Sequence, residues 1–587
     1  MSRPLLSILI SSVCLSAATV MAAGQGARLS AAEIDNPVSS AALVDNKSFL
    51  APPDAAKAHE TFEGTLKVSE APMLTEPAKF KKDNVLGKNP QIFPAVSLSF
   101  VADGDDLIPS TQDVIRNGTL PGGHSFWDII VQPGKIWSEP SDDGWSRASF
   151  PFSLVNSIEG ETHNGVATFV YKAGKLSHIR YQILQQTSPF YIEDYFTAAG
   201  SLTAEYAPAK IPNAQAVIDT FKAAQADEET IASWSDLEAK VGKDKLEGFD
   251  SAIRPNEIVL DGLMIDDRFY LKSCPTPAGE LPYCEHQRFG VWSVTKSAAT
   301  AVAMLSIAQK YGPDIFTTKI ADYVDEAKGV AGWQDVTFGD ALNMATGMGY
   351  GTDKAEPINM FDPYADDYYG WYEAPTAKQK VGNLIKSAKP YSWGPEKVAR
   401  YRDEDFFLLG VGLTNYLKKK EGPDANVWTY IVREVYGPIG IHYAPTNKTI
   451  EPNPKGDQPL MAYGYYPTIS DLIKIARLYQ NGGKFGDKQL LNAEMLADIN
   501  PATDPVGLPT GVDQKPFYRK AFWRAHYKSS DCSFYYPIMD GWGENYVLLL
   551  PKGVTAFRLA KNWDGDAGAG NLDNMAAVGG RLKPFCQ

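Results

Sequence analysis

The hydrophobic period of this 587-residue chain changes partway along it, and that change limits which elements each stretch can form. Between about Pro94 and Pro208 the pattern is that of strands. Val96-Ser97-Leu98-Ser99-Phe100-Val101 alternates apolar and polar side chains, and residues 166–171 and 176–184 flank Ala173-Gly174 as two arms of a hairpin. From about Asn213 to Asp244 the period becomes helical, with Ala214, Val217, Ile218 and Phe221 on one face and Asp227-Glu228-Glu229 opening a second helix. Strands resume at 257–265 and 268–271 around Asp266-Asp267, and strand and helix patterns then mix to the end. Single cores stop growing at about 250 to 300 residues, so two domains are expected. The boundaries suggested are a β-rich domain over 24–212, a helical connector over 213–250, and an α/β (α+β) domain over 251–587.

Composition excludes several classes of function. With 44% hydrophobic and 21% charged residues the chain has the balance of a globular protein. Its 70 acidic and 56 basic residues leave a formal charge of -14, which disfavours nucleic acid and anionic lipid as partners. Arg3, the apolar run over 5–20 and Val20-Met21-Ala22 read as an export signal over 1–23, so a periplasmic or secreted protein with no membrane span after processing is expected. Ser11-Ser12-Val13 ahead of Cys14 lacks the pattern of a lipid-anchor site. Removal of the signal leaves Cys274, Cys284, Cys532 and Cys586, an even number in a compartment where disulfides persist. Of three possible pairings, loop closure favours Cys274 with Cys284 and Cys532 with Cys586. Neither Cys-x-x-Cys nor His-x-x-x-His spacing accompanies them, so no metal and no cofactor are expected. His124, His163 and His178 read as surface or core residues.

Chemistry enters at Phe289-Gly290-Val291-Trp292-Ser293-Val294-Thr295-Lys296-Ser297, where Ser-x-x-Lys heads an alanine-rich apolar segment running to Tyr311 and stopped by Gly312-Pro313. A helix there puts Ser293 and Lys296 a turn apart on one face. Backbone N–H groups at its start would favour negative charge developing on Ser293, while burial would push Lys296 toward the neutral amine. Ser-x-x-Lys alone is common; a capping serine and a solvated lysine would give the same spacing.

A second element is Tyr401-Arg402-Asp403, just ahead of an apolar helix. Here the sequence resembles the serine β-lactamase, penicillin-binding protein and esterase family, in its class C β-lactamase and esterase branch, whose second motif is Tyr-x-Asn. Residues 336–348, with Leu342-Asn343-Met344-Ala345-Thr346-Gly347-Met348, resemble a further segment of that family. So do Tyr466-Pro467-Thr468-Ile469-Ser470-Asp471-Leu472 and Tyr479-Gln480-Asn481-Gly482-Gly483. The resemblance covers about 257–582 in order. For the third motif, Lys-Thr-Gly in many members, the best match is Gly541-Trp542-Gly543-Glu544-Asn545, similar to the Trp-Gly-Gly of the esterase branch. Tryptophan cannot hold a substrate carboxylate as lysine does, so neutral esters or amides are expected ahead of acidic β-lactams.

The resemblance implies a serine hydrolase in which Ser293 attacks a carbonyl, Lys296 and Tyr401 take its proton, and water later frees the acyl-enzyme. Either of the two can be the formal base, and they should titrate together. The oxyanion would be held by the Ser293 N–H and, at the third motif, by Asn545 or its neighbours Trp542, Gly543 and Glu544. Asp403, pointing inward, would hold a proton on Lys296; pointing outward, it would be solvated. His286, seven residues before Ser293, reads as structural. Tyr364, Tyr368, Tyr369, Trp371, Tyr372, Tyr391 and Trp393 crowd the intervening segments, as lining for an apolar or sugar-like group or as loop packing. The partner expected is a small ester or amide. Alternatives are a β-lactamase or D-amino-acid-specific peptidase, or a penicillin-binding-like protein that does not turn over.

Overall fold

A computed structural model of the chain describes residues 28–117, 123–350, 360, 367–499, 507–530, 532–562 and 570–586. The export-signal segment, Cys14 and Tyr364 lie outside them. The chain is a mixed α/β protein built on two large sheets.

The first is a twelve-stranded antiparallel sheet drawn from residues 63–208. Its centre is β1 (Ser146–Val155), β2 (His163–Lys172) and β3 (Ile179–Gln186), with Ala173 and Gly174 in left-handed conformations at the hairpin turn. β1 is buried along its whole length and β2 at every residue but Lys172. A strand buried on both faces needs a core on each side. Ala167, Phe169 and Tyr171 enter the first lobe's aromatic core with Phe62, Phe150 and Phe152, whereas Val166 and Leu184 join the core of the second lobe. β2 and β3 therefore contribute side chains to both of two separate apolar cores.

The second sheet has nine strands. Its middle comprises β4 (Ile258–Ile265), β5 (Ser533–Gly541), β6 (Asn545–Leu549) and β7 (Thr555–Ala560), paired antiparallel in the order β4, β7, β6, β5. Ile231–Ser233, inside the stretch expected to be a helical connector, joins this sheet parallel to Arg268–Ser273. Three residues are too short a run to show a strand period, so only their pairing partner reveals it. The preceding helix, Ala214–Ala226, packs Val217, Ile218 and Phe221 on Val101 and Ile108 of the first sheet.

Helices flank the second sheet: Gly570–Leu582 lies against Phe522–Lys528 and β7. The helical segments that carry site residues are α1 (Val302–Tyr311), α2 (Asp367–Tyr372), α3 (Ala377–Ser387), α4 (Asp403–Glu421) and α5 (Ile469–Gln480). Disulfides join Cys274 to Cys284 and Cys532 to Cys586, the pairing that loop closure favours. Among the described residues no helix is long and apolar enough to cross a membrane.

Candidate active site

Ser293 stands at the turn from an extended segment into a helix. Phe289 N–H donates to Pro467 O (3.0 Å) and Gly290 N–H to Thr162 Oγ1 of the first lobe (2.9 Å), which holds the approach. Trp292 then adopts a left-handed φ of 48°, a conformation that costs a bulky residue energy and that the surroundings must enforce. They do so through its ring: Trp292 Nε1 donates to Ser188 O at 2.9 Å. Val294 N–H to Val291 O (3.2 Å), Thr295 N–H to Trp292 O (2.9 Å) and Lys296 N–H to Ser293 O (3.0 Å) close the first helical turn.

The helix that follows is not a uniform α-helix. Lys296–Ala301 forms a wider π-helical turn before α1 begins. Backbone carbonyls of this turn accept hydrogen bonds from Tyr479 OH (on Ser297 O, 2.7 Å) and Tyr436 OH (on Ala298 O, 2.8 Å). Such a turn fixes the angle at which one side chain leaves the helix, and here that side chain is Lys296.

Lys296, 2% exposed, donates from Nζ to Ser293 Oγ (2.7 Å), Asp403 Oδ1 (2.5 Å) and Ala462 O (3.0 Å). Tyr401 OH is 2.6 Å from the same Ser293 Oγ. Its ring stacks on Trp523 (5.9 Å) and lies 4.9 Å from Lys296 Nζ. Burial holds the Lys296 amine below its ordinary pKa, with Asp403 pulling the other way. Asp403 thus points inward. It opens α4, and its second oxygen accepts from Tyr368 OH of α2 at 3.2 Å. Lys380 of α3 in turn binds the carbonyls of Trp371 (3.0 Å) and Tyr372 (2.7 Å) at the end of α2.

The motif-like segments flanking these residues act as supports. Thr346 Oγ1 donates to Asp405 Oδ2 (2.9 Å), tying residues 345–347 to the first turn of α4. Thr468 and Asp471 form a capping box on α5, and Asp471 also receives Arg288 Nη1 at 2.6 Å, just ahead of the nucleophile segment.

The third-motif stretch forms the end of β5, a turn and the start of β6. Gly541, at the end of β5, lies against the nucleophile turn: a side-chain carbon there would stand 2.1 Å from Val291 O and 3.2 Å from Ser293 N. Trp542, Gly543 and Glu544 form the hairpin turn, with Glu544 at φ 67°. Asn545 faces Gly541 across that hairpin and is buried in it, donating from Nδ2 to Trp542 O (2.6 Å) and accepting Ala560 N–H (3.2 Å). Glu544 is therefore a turn residue, Asn545 begins β6, and Gly541 packs against Ser293 N. Hairpin register, which motif spacing does not carry, decides this.

Other expected neighbours are also resolved. His286 pairs with Glu228 at 3.1 Å. Tyr391 and Trp393 stack on one another at 4.3 Å, while Tyr368, Tyr369, Trp371 and Tyr372 all belong to α2. His163 is fully buried, stacked on Phe196 at 4.6 Å; His124 and His178 are near Glu70 and Asp35.

Sequence reasoning missed the contribution of the first lobe. Residues 156–163 run beneath the nucleophile turn, where Gly160 is so close that a side-chain carbon would stand 3.3 Å from Trp292 Cα. Glu159 Oε1 accepts the N–H groups of Phe190 (2.9 Å) and Tyr191 (2.8 Å), setting the 188–191 loop beside Trp292 and Trp542. No motif or spacing in the first lobe signals this.

No family model and no curated protein matches the chain. Among solved structures it is similar to a Bacillus anthracis protein named "putative 6-aminohexanoate-dimer hydrolase", with 17% identity over 57% of this chain and 81% of that one, at a TM-score of 0.44. It is similar to a class C β-lactamase at 15% identity, over 59% of this chain and 98% of that one, with a TM-score of 0.39. It also matches a penicillin-binding protein homolog from Caulobacter crescentus at 12% identity, over 57% and 97% of the two chains, with a TM-score of 0.37.

Proposed function

We propose that this chain is an exported serine hydrolase that cleaves a neutral ester or amide through an acyl-enzyme on Ser293. One observation carries the reading: Ser293 Oγ has Lys296 Nζ at 2.7 Å and Tyr401 OH at 2.6 Å at the same time. A serine hydroxyl is a weak nucleophile until a positioned base takes its proton, and two candidates are already within reach.

Ser293 Oγ attacks the carbonyl carbon as its proton passes to the Lys296–Tyr401 pair. Collapse of the tetrahedral intermediate breaks the bond to the alcohol or amine, and Tyr401 returns the proton to that leaving group. A water then attacks the ester on Ser293, giving up its proton to the same pair, and the acid is released. Burial lowers the cost of keeping Lys296 neutral before attack, and Asp403 stabilises the ammonium once formed. The Ser293 N–H and the backbone at Gly541 are the groups we assign to the oxyanion.

The charges around the site favour a neutral substrate. Asp403, Asp540 and Glu404 all act on Lys296, and Lys515 beside this cluster is paired with Asp540. Lys296 and Lys515 are both already engaged by carboxylates, so a substrate carboxylate would have to compete for them. Two disulfides support a destination outside the cytoplasm.

The test combines a fluorophosphonate probe, a chromogenic acetate ester and a chromogenic β-lactam, with intact mass followed alongside turnover. Wild type gains the probe's mass and hydrolyses the ester, and Ser293→Ala does neither. Rapid β-lactam turnover would replace the neutral-substrate reading. A wild type that takes up no label would remove the nucleophile assignment.

A further inference from the structure

We propose that the first lobe is part of the substrate site: its Pro189-Phe190-Tyr191 loop packs against α2 and Trp542 and forms the floor of a shallow aromatic cleft, flanked by the exposed rings of Tyr369 and Trp542, that binds a neutral aromatic ring of the substrate. The proposal rests on the reading of Ser293 as the nucleophile, and it goes further by assigning a substrate class and a role to the first lobe.

The loop is built into the site rather than draped over it. Ser188 O accepts Trp292 Nε1 at 2.9 Å, one residue from the nucleophile, and Pro189 O accepts Trp542 Nε1 at 3.3 Å. Gly543 is packed so tightly that a side-chain carbon would stand 2.1 Å from Ser188 Oγ. Behind the loop, Glu159 fixes the Phe190 and Tyr191 N–H groups, and Tyr191 OH donates to Glu373 Oε1 at 2.5 Å.

This anchoring leaves Phe190 between three rings. It lies nearly parallel to Tyr369 at 6.4 Å, edge-on to Trp542 at 6.3 Å, and edge-on to Tyr372 at 5.8 Å. Tyr191 stacks face to face on Tyr372 with 3° between the planes. If these rings served only to pack the loop, they would be covered. Instead Tyr369 is 45% exposed and Trp542 43%, two of just five large hydrophobic side chains so exposed among the described residues. Exposed apolar surface that is rigidly backed and adjoins a reactive group marks a binding site. The same α2 that carries Tyr369 sends Tyr368 OH to Asp403, which binds Lys296, so the aromatic rings and the Ser293 site are held by shared elements. Flat faces and exposed edges suit a ring, and an anionic one would have to compete with Asp403 for Lys296.

The experiment compares methyl acetate with methyl phenylacetate and phenyl acetate, which place a ring on the acyl or leaving side, in wild type, Phe190→Ala, Phe190→Leu and Tyr369→Ala. The readout is each ring ester's kcat/KM relative to methyl acetate. Loss of a buried phenyl contact corresponds to about a tenfold drop. For at least one ring ester the ratio falls by about that factor in Phe190→Ala and in the exposed Tyr369→Ala, with Phe190→Leu between. Unchanged ratios, or equal loss on all three esters in every variant, would overturn the cleft. Calorimetric binding of phenylacetanilide to Ser293→Ala separates this from the hydrolase reading, because it needs no turnover. Binding that weakens when Phe190→Ala is added supports the cleft even if the nucleophile assignment fails; binding that does not weaken counts against it.

Discussion

Asp403 is the residue whose chemistry departs furthest from what its neighbours require. Lys296 is buried, which favours the neutral amine, yet a carboxylate 2.5 Å away favours the ammonium. Replacing Asp403 by asparagine keeps an acceptor for Lys296 and Tyr368 but removes the charge, so the lysine loses its proton at lower pH. Asp403→Asn is expected to move the acidic limb of the kcat/KM profile for a neutral ester downward by about one pH unit or more, the scale of a close charge pair. An unmoved or raised limb would mean that Lys296 does not govern it. Single residues also mark how far sequence reasoning reaches. Ser293 and Lys296 are visible because helical spacing is local, and Tyr401 because Tyr401-Arg402-Asp403 ahead of an apolar helix resembles a family motif, although it lies 108 positions from Ser293. The inward direction of Asp403 is a tertiary fact. The packing of Gly541 against the Ser293 turn depends on a hairpin with Glu544 at positive φ, which spacing cannot express.

Among the elements, the 156–163 segment is the unexpected one, since it puts a buried acidic cluster of the first lobe beneath the nucleophile turn. Glu159 and Glu161 are both wholly buried and adjacent; burial pushes Glu161 up to about 8 and Glu159 well above the usual carboxylate range. His163, 3.5 Å from Glu161, is pushed down to about 3 by burial and stays neutral. Between about pH 6.5 and 8 the folded chain keeps carboxyl protons that the unfolded chain has released, so stability falls as pH rises. The histidine has the opposite effect, but only below about 6.5, where the unfolded ring gains its proton. Glu161→Gln is isosteric and cannot ionise. It should flatten this loss, which is at most about 1.4 kcal/mol per pH unit for one proton. Urea melts of the two proteins at pH 6.5 and 8 measure it; identical slopes would place the proton elsewhere. Strands in the first lobe were legible from alternation, and the Ala214–Ala226 helix from its apolar face. The Asn156-to-His163 segment was not, because polar residues that pair with one another in a buried cluster leave no period.

At the scale of the whole molecule, the two sheets have separate apolar cores that meet where Val166 and Leu184 of the first sheet enter the core of the second. The seam between them is polar as well as apolar. Asn164 Nδ2 and Ser153 Oγ both donate to Arg288 O, at 2.7 and 3.0 Å, and Gln287 Nε2 donates to Gly165 O at 3.1 Å. From the other side, Asn447 Nδ2 and Tyr466 OH reach Glu159 O at 3.0 and 3.1 Å, and Gln185 Nε2 reaches Val259 O at 2.7 Å. Each such buried group left without its partner costs about 1–3 kcal/mol, and half a dozen together are comparable with the whole stability of a domain, about 5–15 kcal/mol. Residues 213–587 alone would contain every group assigned to bond cleavage, but would lose the partners of Gln287, Arg288, Gly290 and Trp292 around the nucleophile. The full chain is therefore expected to unfold in one cooperative transition with matching calorimetric and van't Hoff enthalpies. The 213–587 fragment is expected not to take up a fluorophosphonate under conditions where the full chain labels completely. Two separated transitions with a fragment that labels normally would instead make the first lobe an appended module whose contacts around Ser293 are dispensable for attack.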